Sequence, residues 1–121
     1  MARITSCVTL GYSDYGLVTA LECIPAMRFE RVEITELGSY CRHFPYMETT
    51  AATVAGELEA AGLRAVVMNA PAGRMVDGEV YRPRLGDPAC ADDIVAYAAW
   101  FLRQADELGA GAKDWLRYAS Q

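Results

Sequence analysis

Apolar residues recur along this chain with two alternating periods. The first stretch, "RITSCVTL" (3–10), is rich in β-branched residues and reads as a strand. The next, "SDYGLVTALECIPAMRF" (13–29), switches to helical spacing and puts Leu17, Leu21 and Ile24 on one face. Pro25 should kink or shorten that helix, because it lacks an N–H and its ring crowds the preceding turn. The two-residue period returns in "RVEITEL" (31–37), where Val32 and Ile34 share one side and Glu33 and Thr35 the other.

A second helix is predicted over residues 49–61, capped by Thr49 or Thr50. Val54 and Leu58 form its apolar stripe, and Gly62 stands where a left-handed C-terminal cap belongs. The third strand, "LRAVVMNA" (63–70), is the most apolar. A long loop with Gly73, Gly78, Pro83 and Gly86 follows. In the third helix Asp87 is the expected cap and Pro88 lies in the first turn. Asp92 and Asp93 favour the positive end of its dipole. Ile94, Ala98, Phe101, Ala105 and Leu108 make the expected buried stripe, closed by Gly109. The tail "AGAKDWLRYASQ" has no strand alternation and suits a short helix.

A β-α-β-α-β-α order predicts a parallel sheet with right-handed crossovers, with ligands bound in the loops after the C-terminal ends of the strands. Glu33 discriminates between architectures. In an open doubly wound sheet, such as a small flavodoxin-like fold, helices cover both faces and Glu33 would be a costly buried charge. In a barrel its face looks into the interior, where polar groups can meet a ligand. The plainer alternative is a wet strand end where Glu33 pairs with a local arginine.

Tyr12, Glu36, His43 and Asn69 each lie at or just after the C-terminal end of a predicted strand, so they are expected at one rim. Glu36, His43 and Asn69 could hold a divalent metal or polarise a sugar hydroxyl, although one histidine and so few carboxylates make a poor metal site. Cys41 and His43 lack the second pair that a zinc site needs. Arg74, Arg82 and Arg84 are either solvated loop charges or contacts for a phosphate or carboxylate. The "GAG" at 109–111 follows a helix and is no dinucleotide fingerprint, and neither a Walker motif nor GxSxG is present.

Composition narrows the classes further. A length of 121 residues predicts one domain, and 53% hydrophobic with 22% charged residues excludes a disordered chain. A net charge of −5 argues against nucleic acid as a partner, since displacing counterions from phosphates needs a basic surface. No apolar run approaches the roughly 20 residues of a membrane span, so no membrane partner is expected. The four scattered cysteines, with no apolar leader before them, are expected to be free thiols in the cytoplasm.

Three pieces together resemble a known family. "ALECIPAMRFERVEI" (20–34) looks like a first helix leading into a strand that reads Val-Glu-hydrophobic. "ELEAAGLRAVVMNA" (57–70) looks like a second helix, a Gly-Leu turn and a third strand. "DPACADDIVAYAAWFLRQADELGA" (87–110) looks like a third helix closing on Ala-x-Glu-Leu-Gly-Ala. In this order they resemble the N-terminal part of the sugar phosphate isomerase/epimerase family, the xylose isomerase-like TIM barrels. The resemblance implies a partial (β/α)8 barrel of about three β/α units over 1–110, with a divergent tail at 111–121. It also implies a metal-dependent enzyme that moves a proton between adjacent carbons of a sugar or polyol, with a divalent Mn, Mg, Co or Zn ion as cofactor. Glu33 would then be the strand-two glutamate of the barrel interior. The pocket would draw on Tyr12, Glu33, Glu36, His43 and Asn69.

This chain departs from the family pattern at Pro25 and at Arg28, where a helix-ending glycine is usual. "GAKDWLRYASQ" stands where a fourth strand is usual. Most metal ligands and acid/base glutamates of the family come from later strands, so no catalytic residue is assigned and the isolated chain is expected to be inactive. A non-catalytic relative that binds a ligand or partner is the alternative. Self-association through exposed sheet edges is expected in either case.

Overall fold

The computed structural model describes residues 6–36, 41–69, 74–76, 79–81 and 88–113. The first strand, β1 (Cys7–Val8), is shorter at its C-terminal end than its composition predicts. A 3-10 turn over Thr9–Tyr12 replaces it. Thr9 is the cause: it is fully buried, and its Oγ1 accepts the N–H of Thr35 at 3.0 Å. A side chain thereby takes a donor of the neighbouring strand, and the chain turns away.

The first helix, α1 (Leu17–Cys23), is cut short as Pro25 requires and continues as a 3-10 turn over Ile24–Met27. The turn ends on Arg28 in the left-handed region (φ 65°), with the Arg28 N–H donating to the Pro25 carbonyl. The backbone thus takes the conformation that a glycine would supply here, at a steric cost of about 1 kcal/mol.

Strand β2 (Arg31–Thr35) keeps its predicted alternation. Helix α2 (Ala51–Ala61) is capped by Thr50, whose side chain accepts the Thr53 N–H, and it ends on Gly62 at φ 69°. Gln104 of the third helix adds a second cap, its Oε1 accepting the Ala51 N–H at 2.7 Å. Strand β3 (Arg64–Asn69) follows. The long loop after it contains an antiparallel pair, β4 (Arg74–Val76) and β5 (Glu79–Tyr81), that no residue pattern announced. Arg82 and Arg84 lie outside the described residues.

Helix α3 (Ala91–Glu107) is preceded by a 3-10 turn at Pro88–Cys90, and Asp92 and Asp93 occupy its first turn. The expected cap, Asp87, lies outside the described residues. Gly109 (φ 68°) then turns the chain into β6 (Gly111–Lys113). A strand therefore stands at 111–113 where a short helix was expected, and the rest of the tail, 114–121, lies outside the described residues. The strand runs parallel to β3, pairing Val67 with Gly111, Met68 with Ala112 and Asn69 with Lys113.

The main sheet therefore has the order β1-β2-β3-β6, with every neighbouring pair parallel. Strands adjacent in sequence are adjacent in space, as in a barrel and unlike the reversed order of a flavodoxin-like sheet. All three helices share one core with one face of the sheet. Leu21, Val54, Leu58, Tyr97 and Phe101 pack with Val32, Ile34, Ala65 and Met68. The molecule is part of a (β/α)8 barrel, with three β/α units followed by a fourth strand.

Two details set the faces. Between Val32 and Glu33 the β2–β3 register shifts, so Val32 pairs with Ala65 and Glu33 with Val67. This bulge lets Ala65 and Met68, three residues apart, both reach the core, while Val67 and Asn69 join the Glu33 side. The second detail is aromatic. Phe44 is fully buried with its ring 5.6 Å from Trp100 and 6.5 Å from Phe101, and Tyr46 lies 5.1 Å from both Tyr97 and Trp100. The segment after β2 is thus anchored on α3. The buried stripe of that helix accordingly includes Tyr97 and Trp100, while Ile94 and Leu108 are only half-buried.

Candidate functional site

The concave side of the sheet is the side away from the helices, and Glu33 lies near its centre. Its Oε1 accepts a hydrogen bond from Ser6 Oγ at 3.2 Å, and its Oε2 accepts one from Asn69 Nδ2 at 3.3 Å. One donor, Asn69, lies on β3 and the other, Ser6, immediately precedes β1, so groups from both sides of β2 reach one carboxylate. Glu33 is half-buried. A hydroxyl and an amide are thus two of the groups that hold it.

Thr35 follows two residues later on the same face and pairs in register with Asn69. Its backbone is fully engaged: the N–H donates to Thr9 Oγ1, and the carbonyl lies 3.5 Å from Cys41 Sγ. Neither Ser6 nor Thr35 was named as a site residue from the sequence. The signal for Thr35 was present in the two-residue alternation that singled out Glu33.

Glu36 belongs to a different group. It is 4% exposed, and its Oε2 accepts the Phe44 N–H at 2.9 Å. Its backbone N–H donates to the Asn69 carbonyl, and it bridges to Arg42 in antiparallel fashion. The carboxylate secures the turn that carries Phe44 into the core. His43, also buried, donates from Nε2–H to the Tyr15 carbonyl at 2.9 Å, because a carbonyl can only accept. That leaves Nδ1 facing Cys41 Sγ at 3.3 Å. Burial first, and then the Glu36 charge, push the Cys41 thiol up to about 11, outweighing a backbone hydrogen bond that lowers it. At neutral pH the thiol is protonated and inert.

Tyr12 adjoins the second group through the backbone, its carbonyl accepting the N–H of Tyr15, whose own carbonyl accepts from His43. The Tyr12 hydroxyl points to Met27 Sδ at 3.8 Å, and desolvation, with smaller effects of Cys23 and Cys7, raises its phenol. The residues expected at one rim make different contacts, and Asn69 links two of them, bonding Glu33 through its amide and Glu36 through its backbone carbonyl. Glu33 and Asn69 meet on the concave face, Glu36 and His43 secure the segment after β2, and the Tyr12 hydroxyl meets Met27 in the turn after α1.

A divalent metal does not fit these residues. Among the described residues no three His, Cys, Asp or Glu side chains gather in a group able to hold an ion. Glu33 is a single carboxylate, and Asn69 turns its NH2 rather than its carbonyl toward it. Among the described residues, too, no helix is long and apolar enough to cross a membrane.

No protein-family model matches the chain, and no curated protein matches it. Among solved structures it is similar to an AP endonuclease, family 2, from Brucella melitensis, with a TM-score of 0.60 and 20% sequence identity. The likeness covers 88% of this chain and 38% of that one, so the chain spans well under half of its neighbour's length. At this identity the likeness speaks to the fold, and it agrees with the partial barrel described above.

Proposed function

We propose that this chain forms the first β/α units of a xylose isomerase-like barrel that binds a sugar or polyol, with Glu33 accepting a hydrogen bond from a ligand hydroxyl. The observation that carries this reading is the Glu33 carboxylate on the concave face, bonded by Ser6 just before β1 and by Asn69 of β3. Building a buried or half-buried carboxylate into a sheet is costly, and a ligand-facing role accounts for that cost. The finer reading is a sugar phosphate isomerase or epimerase, in which a carboxylate moves a proton between adjacent carbons. It draws support from the residue resemblance and the parallel barrel topology. The metal of that family is left out of this reading, because the described residues do not fit it.

Binding without turnover is the second reading. It is favoured by Glu36, the other carboxylate at the end of β2, which is buried and bonded to the Phe44 backbone. Acid–base chemistry usually needs two groups, and here one is engaged in structure. The endonuclease named for the structural neighbour is disfavoured by the net charge of −5, which opposes a polyanionic ligand. A cytoplasmic setting completes the proposal, in keeping with four cysteines that are all free thiols.

The test is a titration with a panel of neutral sugars and polyols, followed by NMR, for wild type and Glu33→Gln. Binding that weakens by about tenfold or more in the variant is expected, the loss typical of a charged hydrogen bond. Equal binding by both proteins would refute the role of Glu33. Running the titration in D2O separates the two readings: deuterium entering a C–H position of the ligand marks catalysis, and its absence marks a binding protein.

A further inference from the structure

The concave face carries one polar group that the reading above leaves unused. The Oγ1 of Thr35 has no hydrogen-bond partner among the described residues, although the side chain is only 3% exposed. Its backbone N–H and carbonyl are both engaged, so the hydroxyl alone is unmatched. Buried polar atoms without partners are few in native proteins, and each weakens the free molecule unless something else satisfies it. A threonine hydroxyl can both donate and accept, and a valine of nearly the same shape would remove the problem.

The surroundings indicate what would satisfy it. Alternation along β2 puts Thr35 on the face of Glu33, about 6.7 Å further along the strand between Cα atoms. Asn69 pairs with Thr35 in register and bonds Glu33 through its amide, so it joins the two rows. A hydroxyl that donates to Glu33 and a second hydroxyl one or two carbons away that bonds Thr35 would span this interval. A phosphate or carboxylate would meet the Glu33 charge and be repelled.

We infer that Thr35 contacts the ligand and sets its specificity. Oγ1 bonds one hydroxyl of a neutral polyol segment whose nearby hydroxyl is held by Glu33. This rests on the polyol reading proposed above and narrows it to the uncharged end of the ligand. The hydroxyl is covered in the free molecule, so binding exchanges that cover for the ligand and makes the missing hydrogen bond.

The experiment uses Thr35→Val and Thr35→Ser, with erythritol and D-xylose as probes. Affinity is measured by isothermal titration, and stability by urea unfolding without probe. Thr35→Val should be as stable as wild type or more so, yet bind about tenfold more weakly, the effect of one lost hydrogen bond, while Thr35→Ser keeps its affinity. Three results overturn the inference. If Thr35→Val binds as wild type does while Glu33→Gln still binds weakly, Thr35 is wrong and the polyol reading stands. If Thr35→Val is clearly less stable without probe, its hydroxyl is already bonded in the free protein, to water or to a protein group. If wild type binds neither probe, the polyol reading falls and this inference falls with it.

Discussion

Glu33 and Glu36 lie three residues apart on one short run of chain and do opposite things. Glu33 is half-buried on the concave face, and it accepts hydrogen bonds from the side chains of Ser6 and Asn69. Glu36 is almost fully buried, and its carboxylate receives a backbone N–H from the start of the aromatic anchor. A carboxylate oriented by side chains on an open face can exchange a partner for a ligand without disturbing the backbone. One that holds a buried N–H cannot, because releasing it strands a donor away from water. Position along a strand is therefore a weaker guide to function than the identity of the partner.

Stability measurements should expose the largest difference. Glu36→Ala is expected to lower unfolding stability by about 1–3 kcal/mol, the cost of leaving the buried Phe44 N–H without an acceptor, whereas Glu33→Ala should stay within about 1 kcal/mol. Urea denaturation of both variants checks this, and equal losses would erase the distinction. Glu36→Gln keeps an acceptor and should fall between them.

A pH titration sharpens the same comparison. The Cys41 thiol has an ordinary value of 9.0 and is pushed up to about 11 in the folded protein, by burial first and then by the Glu36 charge. The folded state therefore holds this proton more tightly than the unfolded chain does. The stabilisation is fully present below pH 9 and is lost as pH rises toward 11. Unfolding followed across that window should show the decline. It should shrink in Glu36→Gln, which removes the neighbouring charge, and persist in Glu33→Gln. A thiol reagent at neutral pH should modify the exposed Cys23 and spare Cys41.

The smallest effect lies away from both glutamates. Arg28 adopts φ 65° at the end of the α1 segment, a conformation that glycine tolerates without strain. Arg28→Gly should raise stability by up to about 1 kcal/mol, offset in part by the greater freedom of glycine in the unfolded chain. Thermal unfolding provides the measurement. A lower midpoint would mean that the arginine side chain contributes more than its backbone costs.

Local physics made much of this molecule legible in advance. Thr50 and Gly62 bound α2 because a hydroxyl cap and a left-handed glycine act within one turn of the helix. Pro25 ended α1 through its own missing N–H. The alternation of Val32, Glu33, Ile34 and Thr35 survived because each strand residue must face one side or the other. The parallel order of strands and helices, and with it the partial barrel, followed from those elements and from right-handed crossovers.

Tertiary structure decided the rest, and it did so through partners distant in sequence. Gly111-Ala112-Lys113 carries no strand signal of its own; β3 makes it a strand by offering an unpaired edge. The bulge at Val66 appears only when β2 and β3 are aligned, yet it determines that Val67 and Asn69 share the face of Glu33. Phe44 and Tyr46 read as parts of a polar loop until the ring face of α3 is beside them. The same holds for the carboxylates. Strand alternation alone was enough to point Glu33 away from Val32 and Ile34. Only the folded chain brings Ser6 and Asn69 to one glutamate and the Phe44 N–H to the other, leaving the first half-buried and the second almost fully buried.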